Sequence, residues 1–143
     1  SPLLSIHVSI IMMSYALLSL TFISAIAYFF TRNSKRESVI SVNKQLTDLS
    51  QIFLYPAITT LGLGIFIGAI WANISWGTYW GWDPKETWAL ITFLIYAIPL
   101  HTNSLPALRK PEKYHFFMLL SFLSILMTYF GVNYILGGMH SYA

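Results

Sequence analysis

Residues 52–71 read IFLYPAITTLGLGIFIGAIW, twenty consecutive positions without a charged side chain. A soluble helix needs polar residues recurring at helical spacing, and this stretch has no such stripe. About twenty helical residues cross the roughly 30 Å hydrocarbon core of a bilayer. The segment therefore predicts a membrane span, and the chain around it agrees. No Asp, Glu, Lys or Arg occurs in residues 1–31, 49–82, 87–108 or 114–143. Spans are expected near 8–30, 52–72, 88–108 and 114–136 of a single membrane domain covering residues 1–143. The fold class is all-α integral membrane, with about four transmembrane helices. The first apolar run is expected to be a span rather than a secretory leader, because it lacks a basic segment before it and a small-residue cleavage site after it.

Composition supports the same class. The chain is 56% hydrophobic and 9% charged, with a mean hydropathy of +0.62. Soluble domains carry about 25% charged residues, so this one has too few to coat a water-facing surface. With no cysteine it supplies neither a disulfide nor a thiolate. Seven of the eight basic residues, Arg32, Lys35, Arg36, Lys44, Arg109, Lys110 and Lys113, fall between the first two spans or the last two. Alternating spans bring both segments to one side, which the positive-inside rule makes cytoplasmic, or stromal in a plastid. Topology thus accounts for the positive charge, and no nucleic-acid partner is implied. The other side receives His7, the segment between spans two and three, and the C-terminal GGMHSYA with His140.

That segment, WANISWGTYWGWDPKETW at 71–88, holds all five tryptophans of the chain. A membrane-interface belt needs one or two rings per helix end. Five in one external loop suggest an aromatic platform for a flat, largely apolar ligand, with Gly77 and Gly81 allowing close backbone approach. Asp83, Pro84 and Glu86 suit the cap, first and third positions of a helix, so Asp83 stands both as a helix start and as a residue of the ligand site. His7 and His140 are either wetted polar residues at helix ends or a bis-imidazole pair for a planar metal macrocycle such as haem, whose iron accepts axial histidine. His101 lies thirteen residues past Trp88, about 20 Å along a helix. It is either an intramembrane functional residue or the inner end of a span that Pro99 terminates. His115, beside Lys113 and Tyr114, is expected at the membrane interface without a role. Lys85 pairs either with a ligand carboxylate or with water.

The stretch WGTYWGWDPKETWALI at 76–91 resembles the tryptophan-rich WWD motif of haem-handling cytochrome c assembly proteins. With PLHT at 99–102 and GVNYILGGMHSYA at 131–143, the chain is similar to the CcsA/ResC-type (System II) cytochrome c biogenesis family. The resemblance implies that haem b is held as cargo at the outer face by the WWD segment, here Trp76, Trp80, Trp82, Asp83 and Trp88. It makes His7 and His140 the axial ligands of the haem iron, and His101 a ligand for haem crossing the membrane. The family's second intramembrane histidine lies in an earlier span, so the chain is read as the C-terminal core of a larger protein. Implied partners are an apocytochrome c with a Cys-x-x-Cys-His motif, a ResB/Ccs1-type protein or fused N-terminal region, and the lipid bilayer. The implied role is as a component of a holocytochrome c synthase system. Its location would be a bacterial inner membrane or a thylakoid membrane, with the WWD loop periplasmic or lumenal.

Two readings from other classes stand beside this one. A b-type membrane cytochrome relaying electrons would pair histidines deep in facing spans. A transporter with a tryptophan cage would hold a cation by cation–π contact and would show no haem spectrum.

The charge distribution makes a topological prediction. In intact cells, Lys35→Cys and Lys110→Cys should resist an impermeant thiol reagent, while Thr78→Cys should react in haem-free protein. Labelling at 35 with protection at 78 would reverse the orientation.

Overall fold

A computed structural model describes residues 1–136 of the chain. Residues 137–143, and with them His140, lie outside the described residues. Four helices run in order: α1 Pro2–Thr31, α2 Glu37–Trp76, α3 Pro84–Ala97 and α4 Pro111–Leu126. Helix α4 continues through wider, π-helical turns over Met127–Leu136. No strand occurs among the described residues, as expected where lipid offers no partner to an open sheet edge. Three stretches, α1, α2 and Pro111–Leu136, are long and apolar enough to cross a membrane.

Local chemistry sets the ends. Ser1 caps α1 by accepting from the Leu4 N–H, with Pro2 in the first turn. Gly77 ends α2 in the left-handed region at φ 80°, and its N–H closes on the Asn73 carbonyl at 2.9 Å. A side chain there would strain the backbone, and glycine avoids that cost.

Two helices differ from the expected spans. Helix α2 has 40 residues, about 60 Å at 1.5 Å per residue, roughly twice the hydrocarbon thickness. Its first fifteen residues, with Glu37, Lys44 and Asp48, precede the expected 52–72 span and extend the helix beyond the apolar run. Helix α3 starts at Pro84 rather than near 88 and ends in a 3₁₀ turn over Ile98–Leu100. Pro99 stops it, and residues 101–105 form a loop followed by a separate turn, Pro106–Arg109. The expected span at 88–108 is therefore displaced and shortened.

The helices alternate in direction. At one end Thr31 donates to the Asn43 side-chain oxygen at 2.8 Å, and Arg32 pairs with Glu112 at 2.7 Å. At the other, Lys85 reaches Asn133 at 3.0 Å. Seven of the eight basic residues thus gather at one end of the bundle, and the tryptophan loop with Lys85 lies at the other. Between them Leu18, Ala25, Leu54, Ala57, Tyr96 and Met118 form the core, with Phe22 stacked on Phe122 at 4.2 Å. Several buried hydroxyls donate within their own helix, Thr21 to the Leu18 carbonyl, Ser121 to that of Phe117 and Thr128 to that of Ser124, while Ser14 on α1 donates across to the Ala57 carbonyl of α2 at 2.8 Å. Polar atoms away from water need such partners.

His115 does not face outward as expected. It is fully buried, stacked on Tyr28 at 4.6 Å and hydrogen-bonded through Nε2 to the Thr47 hydroxyl at 2.8 Å. Lys113 is exposed because it lies two residues away, about 200° around the helix. The Thr47 hydroxyl has one proton, and the Asn43 carbonyl at 2.9 Å can only accept it. His115 therefore donates from Nε2, leaving Nδ1 as a buried lone pair without a hydrogen-bond partner among the described residues.

Thr47→Val should accordingly strand the Nε2–H and destabilise the protein by about 1–3 kcal/mol. Thr47→Val with His115→Phe removes both partners and should recover most of that loss. Unfolding of the detergent-solubilised protein in SDS measures both; an unchanged midpoint for the single variant refutes the bond's contribution.

Candidate functional site beneath the tryptophan loop

A pocket of about 160 Å³ opens among the ends of α1, α2, α3 and the π-helical segment, beneath the tryptophan loop. His7, Tyr15, Tyr79, Trp80, Lys85 and Tyr129 are among its lining residues. His7 sits on the second turn of α1, not beyond the end of the span. Its ring packs where a Cβ on Gly68 would stand, 2.5 Å from Cε1. Nδ1 lies 2.8 Å from the Gly64 carbonyl oxygen. A carbonyl only accepts, so Nδ1 carries the proton, and in the neutral ring Nε2 carries the lone pair. A backbone carbonyl holding the other ring nitrogen is the usual support for a histidine that ligates metal.

The loop over this pocket is held by one carboxylate. Glu86 Oε2 accepts from the Gly81 N–H at 2.9 Å and from the Asp83 N–H at 3.2 Å. Asp83 in turn accepts from the Lys85 N–H at 3.0 Å and from the Glu86 N–H, and the second of these bonds completes a capping box at the start of α3. Between the two clamped amides lies Trp82, the one non-glycine residue with positive φ, 56°, among those described. That conformation costs an L-residue about 1–2 kcal/mol, and the clamp on both sides maintains it. Asp83 and Glu86 thus start the helix and shape the loop together.

The five tryptophans do not share one loop. Trp71 and Trp76 lie on α2 and meet edge to face at 4.9 Å. Trp80 and Trp82 lie in the loop, edge to face at 5.6 Å, and Trp88 is on α3. Trp80 lines the pocket, while Trp82 is 68% exposed. Among the described residues the rings form two edge-to-face pairs, Trp71 with Trp76 and Trp80 with Trp82. Lys85, in the polar first turn of α3, reaches Asn133 at 3.0 Å and lies over the Tyr129 ring at 5.7 Å. Burial holds its ammonium pKa below the usual lysine value, with the nearby Asp83 charge opposing that shift. It is therefore not simply a solvated loop charge.

The model of the family described as Cytochrome C assembly protein matches residues 1–140. The chain belongs to the cytochrome c assembly protein family. This family member is 44% identical to "Protein NrfI" of Wolinella succinogenes, over 98% of its own length and 16% of that protein's. It is 43% identical to "Cytochrome c biogenesis protein CcsA" of Solanum bulbocastanum over 81% of the chain and 36% of the relative. It is 46% identical to the CcsA of Cyanophora paradoxa over 73% of the chain and 32% of the relative. The chain thus spans at most about a third of these relatives' lengths.

Within the cytochrome c assembly chain, the fold brings His7 and Trp80 to one pocket and holds Trp82 and Asp83 in the loop above it. Trp76 and Trp88 stand on the flanking helices. His101 is elsewhere: it follows the last turn of α3, is exposed, and its Nδ1 donates to the Ala97 carbonyl at 2.8 Å. Sixteen residues separate it from Lys85 at the pocket, about 24 Å along the helix. Sequence reading missed Tyr15, Tyr79 and Tyr129 as lining residues. It also missed Gly64 and Gly68, although their four-residue spacing is a recognised signal of close helix approach.

Removing the Glu86 clamp should free the loop. Glu86→Ala should cost about 1–2 kcal/mol, the scale of a lost helix cap, and raise acrylamide quenching of tryptophan fluorescence. Glu86→Gln, which keeps one acceptor oxygen, should fall between. Equal quenching in all three proteins would mean that the carboxylate does not order the loop.

Proposed function

We propose that this family member acts in cytochrome c biogenesis, binding haem b as cargo beneath the tryptophan loop and presenting it for covalent attachment to an apocytochrome c. The observation that carries the reading is His7. Its tautomer is set by the Gly64 carbonyl at 2.8 Å, so Nε2 has the lone pair that an iron requires, and the ring borders an aromatic pocket. The residues present fit such a cargo in kind: an imidazole, indole and phenol rings, and the Lys85 ammonium for a carboxylate. The enclosed 160 Å³ is below the roughly 300–1,000 Å³ of typical ligand pockets. A macrocycle ligated by His7 therefore either displaces the loop or remains partly outside the helices, and the second arrangement suits a cargo that must be handed on.

The chain's contribution is positioning. Each thioether forms when a cysteine S–H adds across a haem vinyl group, and the thiols belong to the Cys-x-x-Cys-His of the apocytochrome, since this chain has no cysteine. Holding a vinyl edge against an incoming thiol converts an encounter in solution into a local reaction. His140 is the proposed second axial ligand and His101 the ligand for haem arriving from the basic end. A ResB/Ccs1-type protein or region is the proposed companion. The basic residues place the basic end inside by the positive-inside rule, so the loop would face the periplasm or a thylakoid lumen.

His7→Ala should remove or weaken the haem absorption of the purified protein and stop cytochrome c maturation. Added imidazole should partly restore both, because the site lies at the end of the bundle. His101→Ala should lower haem loading with weaker rescue. A His7→Ala protein with an unaltered haem spectrum would end this reading. Normal haem without thioether formation on a Cys-x-x-Cys-His peptide, with the companion present, would favour electron relay instead.

A further inference from the structure

At the basic end, remote from the tryptophan loop, two cavities meet. One is a groove of about 930 Å³ between the end of α1 and the start of α4, with Phe29, Phe116, Phe117 and Leu120 along it and Lys110 and Lys113 on its lining. The other, about 360 Å³, is polar and is lined by Arg32, Asn43, Lys44, Thr47, Gln51 and Arg109. Tyr28 and Pro111 line both, so the polar pocket and the apolar groove adjoin each other. The Thr47 and Tyr28 that line the polar pocket are the same residues that fix buried His115, which gives it a rigid wall.

The charge at this junction is one-sided. Five cations, Arg32, Lys44, Arg109, Lys110 and Lys113, face two carboxylates, Asp48 and Glu112. Arg32 is engaged by Glu112 at 2.7 Å, and Arg109 by the Asn103 side chain at 2.9 Å. Lys44, Lys110 and Lys113 make no ion pair among the described residues. In the groove, Phe116 is 55% and Leu120 52% exposed, as suits side chains facing lipid.

We propose that this junction is a binding site for an anionic phospholipid. The phosphate lies in the polar pocket within reach of Lys44 and Arg109, and an acyl chain follows the groove along Phe116, Phe117 and Leu120. Basic pockets between membrane helices on the cytoplasmic side take anionic headgroups in this way. A polar, cation-lined pocket next to an apolar groove distinguishes such a site from a general surface attraction. Neither haem nor the tryptophan loop is involved, so the site stands or falls independently of the function proposed above.

The test uses the purified protein in neutral detergent, titrated with phosphatidylglycerol, phosphatidylcholine or inorganic phosphate. Thermal stability and native mass spectrometry provide the readouts. Phosphatidylglycerol should raise the melting temperature and remain bound, while the other two should do neither. Lys44→Gln with Arg109→Gln should weaken phosphatidylglycerol binding at least tenfold. Lys35→Gln with Arg36→Gln, which removes the same charge outside the pockets, should leave it unchanged. Leu120→Asn should weaken lipid retention without altering net charge. Equal effects of the two charge-removing pairs would reduce the site to general attraction and overturn it. Equal stabilisation by phosphatidylcholine would remove the anion site, and an equal effect of inorganic phosphate would make it a soluble-anion site. A photo-crosslinker at Leu120 that captures another protein segment instead of lipid in native membranes would also overturn it.

Discussion

The contact between α1 and α2 at Gly64 and Gly68 is the constraint on which the rest depends. A Cβ at Gly68 would overlap the His7 ring, and one at Gly64 would meet the end of the Ile11 side chain. Without side chains at these two positions, α1 comes close enough for an imidazole to reach a carbonyl of the facing helix. That carbonyl already belongs to a helix, so the extra bond does not interrupt the α2 backbone. It sets the ring's tautomer and plane and fixes which nitrogen a ligand would meet. Small residues at four-residue spacing commonly serve helix packing in lipid; here the same spacing also creates the seat for the one described histidine on the pocket.

A second constraint acts independently of the first. Helix α3 begins where Glu86 reaches back to two loop amides, and this links the start of a helix to the shape of the aromatic segment above the pocket. The left-handed conformation of Trp82 would be costly alone. It persists because the amides on both sides share one acceptor. In the sequence Asp83 stands both as a helix cap and as a residue of the ligand site, and Glu86 as its capping partner. In the structure capping is the means by which the loop is ordered, so the two residues can influence a ligand without touching it.

Much of the fold was legible because long uncharged runs have few alternatives in a bilayer, and because Pro84, Pro99 and Gly77 punctuate helices by backbone geometry. The overrun of α2 was not legible from hydropathy, since Glu37, Lys44 and Asp48 end the apolar run while leaving the helix intact. The tryptophans misled for a related reason. Closeness in sequence does not give a common face: Trp71 and Trp76 stay on α2, Trp88 starts down α3, and only Trp80 and Trp82 occupy the loop. The depth of His7 followed from the partner helix rather than from its own segment. His115 was missed because its neighbour Lys113 is exposed, and an angle of about 200° separates the two on the helix.

His7 and His115 show how the same side chain is assigned different work by its surroundings. Each makes a hydrogen bond of 2.8 Å that settles which nitrogen is protonated. In His7 the proton is on Nδ1, and the ring borders a pocket among aromatic side chains. In His115 the proton is on Nε2, and the Nδ1 lone pair is sealed behind Tyr28 with no partner among the described residues. His115 is fully buried and lines none of the pockets described above, so the chemistry of the nitrogen is not enough to make a site. What separates the two is position: the His7 ring lines a pocket, beside the paired glycines and beneath a loop held by a single carboxylate. The candidate site is therefore a property of helix spacing and loop restraint first, and of histidine chemistry second.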